Sequence, residues 1–205
     1  MDMNLFPTKG NLIRAKTTLR LSKQGYELLD KKRNILVREM MALIDRAGAI
    51  QEKIKGIYKE AYEALQTANL SIGISEVEQL GYAVPEERSV QIKIRSVMGV
   101  EIPTVDIAPY DLRPKYGFSR TNLALDIASM RFEEVKHMSV EYAEIENAIY
   151  RLAANIRKTQ KRANALKNIT IPRYEKITKD IQDYLDEKDR EEFTRLKMIK
   201  RMGKD

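Results

Sequence analysis

The chain contains no cysteine and no tryptophan. Without cysteine there is no disulfide framework, no thiolate metal site and no thiol nucleophile. A single histidine, His137, cannot supply a histidine-based metal set. Nine glycines are spread along the chain, and no pair has the spacing of a phosphate-binding loop or a dinucleotide fingerprint. No apolar run approaches the roughly 20 residues that a membrane-spanning helix needs. The opening, MDMNLFPTKGNL, lacks the basic start and apolar core of a secretory leader. The expectation is a non-catalytic chain with no cofactor, no metal and no direct membrane insertion.

Charge and aliphatic residues dominate what is present. Charged residues make up 33% and aromatics only 7%, a balance that fits long helices with one apolar stripe better than a compact core. The charge is segregated. Residues 1–33 carry eight basic and three acidic side chains, and residues 151–205 carry 16 and nine. Residues 71–150 reverse the sign, with eight basic and 13 acidic. Basic ends around an acidic middle fit either a solvated helix face or contact with an acidic partner.

Three segments follow along the chain: an N-terminal helix over 1–70, an insertion over 71–118 and a C-terminal helix over 119–205. Thr8, after Pro7, is placed to start the first helix, because its hydroxyl can accept an orphan backbone N–H. With Leu12 at heptad position a, the series runs Leu12, Leu19, Tyr26, Arg33, Met40, Ala47, Ile54, Ala61, Ala68. The d series runs Ala15, Ser22, Leu29, Leu36, Leu43, Ile50, Ile57, Ala64. All but Arg33 and Ser22 are apolar. A 3.5-residue repeat sustained for roughly 90 Å of helix demands a partner helix and a left-handed supercoil.

The last segment supplies that partner. Its a series is Ala128, Val135, Tyr142, Ile149, Ile156, Ala163, and its d series is Arg131, Met138, Ile145, Leu152, Thr159, Leu166. Tyr174, Ile177, Ile181, Tyr184 and Leu185 continue the helical spacing past Pro172. Proline lacks an N–H and clashes with the preceding turn, so a kink or restart is expected there. Between the helices, Val90, Ile92 and Ile94 alternate with polar residues, as do Val100 and Ile102, around Met98-Gly99. That period of two predicts a β-hairpin, which must lean on a helix or on another protein because two strands alone are marginal. The fold class expected is all-α, a long antiparallel left-handed coiled-coil hairpin with a small β-hairpin insertion. Equal rise on both arms sets Thr8 beside residue 183, with about 20 residues of the second helix projecting beyond.

No active site emerges. His137 has Glu133 and Glu141 within helical pairing reach, which favours a local ion pair over acid–base or metal chemistry. Asp186-Glu187 and Glu191-Glu192 alternate with Lys188, Arg190 and Arg195, as on an exposed helix face.

Four stretches resemble a known family, the D subunits of V-type and A-type rotary ATPases. FPTKGNLIRAKTTLRLSKQGYELLDKKRNIL (Phe6 to Leu36) is similar to the family's opening, with Pro7-Thr8-Lys9, Leu12, Leu19, Gly25, Leu28-Leu29 and Lys31-Lys32-Arg33 in its order. SVMGVEIP (Ser96 to Pro103) resembles its hairpin, TQKRANALKNITIPRYEKITKDI (Thr159 to Ile181) is the strongest match, and DREEFTRLKMIKRM (Asp189 to Met202) resembles its tail. Phe6, Ala163 and Lys167 depart from the family's usual residues.

The resemblance implies a central rotor shaft, itself non-catalytic. It implies a hexamer of alternating catalytic and regulatory nucleotide-binding subunits around it. The small F subunit of the stalk and a funnel-shaped subunit on the membrane side complete the expected partners. Rotation would couple ATP synthesis or hydrolysis to H⁺ or Na⁺ transport, in a cytoplasmic complex peripheral to the membrane. Candidate partner contacts are Arg190, Arg195, Lys197, Lys200 and Arg201 in the tail, and Met98, Gly99 and Val100 at the hairpin. Two other classes share the composition. A prefoldin-like chaperone would hold unfolded clients on its helix tips. A nucleic-acid binder would use the basic ends, although no stacking aromatics are interleaved there.

Overall fold

The structure, a computed structural model, describes residues 6–108, 116–119 and 121–202. Its elements are α1 (Lys9–Ile72), α2 (Ile74–Ala83), β1 (Gln91–Val97), β2 (Val100–Asp106), α3 (Leu123–Ala165), a π turn (Leu166–Thr170) and α4 (Ile171–Met202). The fold is an all-α coiled-coil hairpin carrying a small two-stranded antiparallel sheet. Thr8 begins α1 as expected, its Oγ1 accepting the Asn11 N–H at 3.2 Å. None of the seventeen a and d positions of α1 is exposed. On the second arm Arg131 alone among the twelve is exposed, and it turns outward to Glu60 at 3.3 Å.

Close contacts group the chain into two units. The first joins Met1–Asn34 to Ile156–Asp205. Leu12, Ile181 and Leu185 form its buried cluster, with Ile177 packed against it. Lys23–Glu175 (2.7 Å), Lys16–Gln182 (3.0 Å) and Lys9–Asp189 (3.9 Å) flank the seam on the antiparallel arms. Tyr184, expected in the seam, is instead 54% exposed. Its neighbour Leu185 takes the buried place at the heptad spacing from Ile181.

The break expected at Pro172 takes the form of one π turn, after which the helix resumes. The Ile171 N–H donates to the Leu166 carbonyl, one residue farther back than in an α-helix. The widened turn accommodates the proline ring and its missing donor. The π turn packs against α1, with Leu166 over Gly25 and the Lys167 ammonium 5.8 Å from the Tyr26 ring centroid. It also changes the register. Between the Arg33–Gln160 and Lys23–Glu175 contacts, α1 advances ten residues and the second arm fifteen. From Lys23–Glu175 to Lys9–Asp189 both advance fourteen. The equal-rise expectation is therefore corrected. Lys9 stands beside Asp189, so the part of the second arm beyond the last pair begins at residue 190 and not near residue 184. The π turn takes up residues without lengthening the helix in proportion, and the long Arg33 and Gln160 side chains reach along the axis.

The second unit is Ile35–Asn155. Leu36, Ile145 and Leu152 are its largest fully buried side chains, each contributing about 1.5–3 kcal/mol by removal from water. Ala61, Ala68 and Ala128 are also buried, so part of the seam closes through small residues. Asn122 caps α3 by accepting the Leu125 N–H at 3.2 Å, and its amide donates to Ser71 Oγ at 2.8 Å. Gly73 joins α1 to α2 at φ 104° and ψ 142°, a conformation open to glycine alone. Helix α2 lies within the stretch that the sequence reading treats as irregular. Its Ile74, Val77 and Leu80 spacing is helical, but Gly73 and Gly81 obscure so short a run.

The β-hairpin forms where alternation predicts it. Met98 and Gly99, at φ 51° and 74°, fill both left-handed positions of its two-residue turn. Glycine adopts that region freely, whereas at Met98 it costs about 1–2 kcal/mol. Val100 and Ile102 are buried, so the hairpin leans on its own helices. Arg95 pairs with Glu39 of α1 at 3.0 Å, and Glu144 of α3 accepts the Val105 N–H at 2.7 Å.

Candidate partner surfaces

The tail is a bare helix. Every residue from Asp186 to Met202 is exposed, including Arg190, Arg195, Lys197, Lys200 and Arg201. Arg190 pairs with Glu187 at 3.5 Å and Arg195 with Glu191 at 3.7 Å, within one helix face. Such exposed pairs contribute little and leave both arginines available. Lys197, Lys200 and Arg201 have no carboxylate partner among the described residues. Phe193, Leu196, Met198, Ile199 and Met202 are also exposed, each by more than half. A lone helix cannot bury both kinds of side chain, so basic and apolar groups stand together on its surface. The unit that bears it carries 23 Lys and Arg against 12 Asp and Glu, while the other unit carries 14 against 18.

At the hairpin the three expected contact residues separate. Met98 is 47% exposed and Gly99 is exposed with it at the turn. Val100 is buried, which removes it from any surface that a partner could read, and its part is to seat the hairpin on the helices. The residues that sequence reasoning misses are Ile92 and Ile94, 69% and 66% exposed on the opposite face of β1. Alternation places them in a strand but does not say which face meets the helices.

A third surface is also missed by the sequence. Leu70, Ile74, Tyr82, Phe118 and Leu123 are each more than 70% exposed, near the ends of α1, α2 and α3, and the Asn122–Ser71 bond ties the end of α1 to the start of α3. The available signal is the run Leu70-Ser71-Ile72-Gly73-Ile74, too apolar for a solvated turn. Beside it, α2 covers an apolar hollow of about 300 Å³ lined by Leu65, Val77, Leu80, Leu125 and Phe132. Tyr116, Ser129 and Glu133 add polar groups to its lining.

The strap from Val84 to Val90 is clasped to α3. Lys136 Nζ lies 2.6 Å from Glu87 and also pairs with Glu133. The Ser89 N–H and hydroxyl donate to the same Glu87 carboxylate at 2.9 and 2.5 Å. The Lys136 hydrogen bond, then those from Ser89, hold the Glu87 carboxyl down at about 2. Burial opposes the Lys136 charge, but its hydrogen bonds to Glu133 and Glu87 raise it above the ordinary lysine range. Near His137, Glu141 pairs with Arg46 of α1. Among the described residues no group of three or more His, Asp and Glu is placed to hold a metal ion, and no helix is long and apolar enough to cross a membrane.

Comparison with known proteins decides the family. The sequence profile of the ATP synthase D subunit matches residues 11–201. The chain belongs to the family of ATP synthase D subunits. The D subunit of the V-type ATP synthase of Thermotoga neapolitana is 44% identical over 198 residues, covering 97% of this chain and 98% of that one. The D subunit of the A-type ATP synthase of Methanobrevibacter smithii is 38% identical, covering 95% and 85%, and that of Thermococcus kodakarensis 36%, covering 97% and 94%. The match spans both arms and the insertion, so the tail, hairpin and apolar end all lie in D-subunit sequence and not in an appended domain.

Proposed function

We propose that this chain is the central rotor shaft of a V- or A-type ATPase, a non-catalytic subunit. Its rotation couples ATP synthesis or hydrolysis in a surrounding hexamer to ion transport through the membrane. The observation that carries the reading is the seam. Seventeen consecutive a and d positions of α1 are sequestered against an antiparallel arm. Two helices wound together resist bending and twisting far better than one, which is what a torque-bearing element requires.

The three exposed surfaces take distinct partners in this reading. The tail, with its basic and apolar side chains, sits inside the sleeve formed by the catalytic and regulatory nucleotide-binding subunits. The apolar end at Leu70, Ile74, Phe118 and Leu123 docks on the funnel-shaped subunit on the membrane side. The hairpin turn offers Met98 and Gly99 to a neighbouring subunit, and the small stalk subunit is a further partner. Membrane association then comes through partners alone.

An affinity tag on this chain tests the reading. Recovery of the nucleotide-binding subunits, the small stalk subunit and the funnel subunit supports it, as does ATP-driven rotation of a bead fixed to the chain. Recovery of the chain alone from cells that express the complex, or an immobile bead on a hydrolysing complex, overturns it. Saturable ATP binding by the isolated chain at micromolar concentration overturns the non-catalytic assignment.

A further inference from the structure

The two edges of the β-hairpin are treated differently. The two-residue turn closes on the Val97–Val100 pair, so ladder hydrogen bonds fall at alternate residues: Val97, Arg95 and Lys93 against Val100, Ile102 and Thr104. The intervening residues point their backbone groups away from the ladder. On β2 these are Glu101, Pro103 and Val105, and at each of them one outward group is paired or missing. The Glu101 carbonyl accepts from Arg151 at 3.3 Å, Pro103 has no N–H, and the Val105 N–H donates to Glu144. On β1 they are Ile92, Ile94 and Ser96. Among the described residues their outward N–H and C=O groups meet no partner, and all three residues are exposed.

An open edge flanked by exposed isoleucines invites pairing with another chain, and natural sheets protect such edges with proline, bulges or covering side chains. Here β2 has that protection, whereas β1 carries only Lys93 and Arg95, whose side chains pair with Asp106 and Glu39. The side chains along the open edge alternate. Ile92 and Ile94 face away from the helices, and Lys93 and Arg95 face toward them, both more than half exposed. Cross-strand neighbours on one face interact directly, so apolar residues complement the first pair, and carboxylates can replace Asp106 and Glu39 in the weak pairs that the second now makes.

We propose that the open edge of β1 accepts a strand from a neighbouring protein of the assembly, an extended segment that alternates apolar and acidic residues. Backbone pairing at Ile92, Ile94 and Ser96 supplies the affinity, and the alternation supplies the selectivity. The proposal rests on the rotor-shaft reading for the existence of that assembly.

Backbone amide exchange tests it, comparing the isolated full chain with the affinity-purified assembly. The Ile92 and Ile94 amides should exchange freely in the isolated chain and slow by roughly 100-fold or more in the assembly. Ile94→Pro removes one outward donor and leaves the β1–β2 ladder intact, so it should abolish the protection at Ile92, whereas Ile94→Val should keep it. An intact assembly in which both amides exchange as fast as in the free chain overturns the proposal and leaves the rotor reading standing. Protection at Ile92 that survives Ile94→Pro overturns it too, since simple coverage and not strand pairing then slows exchange. Concentration-dependent protection in the isolated chain between 1 and 100 µM, values on the order of common working concentrations, assigns the edge to a second copy and also overturns it. If no assembly is recovered, the rotor reading fails and this proposal fails with it.

Discussion

Replacing Leu152 by alanine tests the seam at its most buried point. Leu152 is fully buried in the unit Ile35–Asn155, together with Leu36 and Ile145. Trimming the isobutyl side chain to a methyl forfeits the transfer free energy of three carbons and leaves a cavity that two helices with fixed neighbours cannot fully close. Buried Leu→Ala substitutions cost about 2–5 kcal/mol. Alanine's higher helix propensity returns only a few tenths, and a two-helix seam collapses more readily than a globular core. The expected loss is therefore about 3 kcal/mol. For a chain of this size that lowers the midpoint of thermal unfolding by about 6–12 °C. Leu28 is the control, because it lies on α1 outside the seam and is 67% exposed. Leu28→Ala should change stability by no more than about 0.5 kcal/mol. Circular dichroism at 222 nm on the isolated chain measures both. Equal shifts for the two variants would refute the assigned seam, because burial would then not be what distinguishes the positions.

Three further outcomes are expected. Gly48→Ala, mid-helix with nothing within 4 Å of the added Cβ, should stabilise the chain by about 0.5–1 kcal/mol, while Gly73→Ala, equally unobstructed but at φ 104°, should destabilise it by about 1–3 kcal/mol; thermal unfolding of both decides. The Glu87 carboxyl, depressed to about 2 by Lys136 and Ser89, should keep its clasp above pH 4.5 and lose it as pH falls toward 2. An NMR titration checks this, and Lys136→Met should return much of the shift toward 4.5. Deleting residues 195–205 removes most of the exposed tail but none of the paired seam, so the complex should still rotate, with partly weakened assembly or coupling. Complete loss of rotation in a correctly assembled single molecule would make the tail the drive contact, and unchanged torque and yield would make it a solvated end.

Periodicity and local residue chemistry by themselves determined the helical arms, the a and d positions that are sequestered, the Thr8 cap and the place of the hairpin. Those features depend on local chemistry and on periodicity, which a single chain displays in full. The family resemblance was likewise legible, because four motifs stand in order along one chain. Tertiary structure alone decided the rest. It chose which face of β1 meets the helices, burying Val100 and Ile102 and exposing Ile92 and Ile94, because both faces of that strand carry aliphatic residues or long cations. It turned Pro172 into a π turn in a resumed helix, since packing on both sides of the turn holds the arms together through the disruption. It moved the start of the projecting tail to residue 190, because register depends on how many residues each turn consumes, and no pattern of residue types records that. Above all it separated the protected edge of the hairpin from the open one. Glu144 and Arg151 lie about 40 and 50 residues beyond the backbone groups they satisfy, and only the folded arms bring them there.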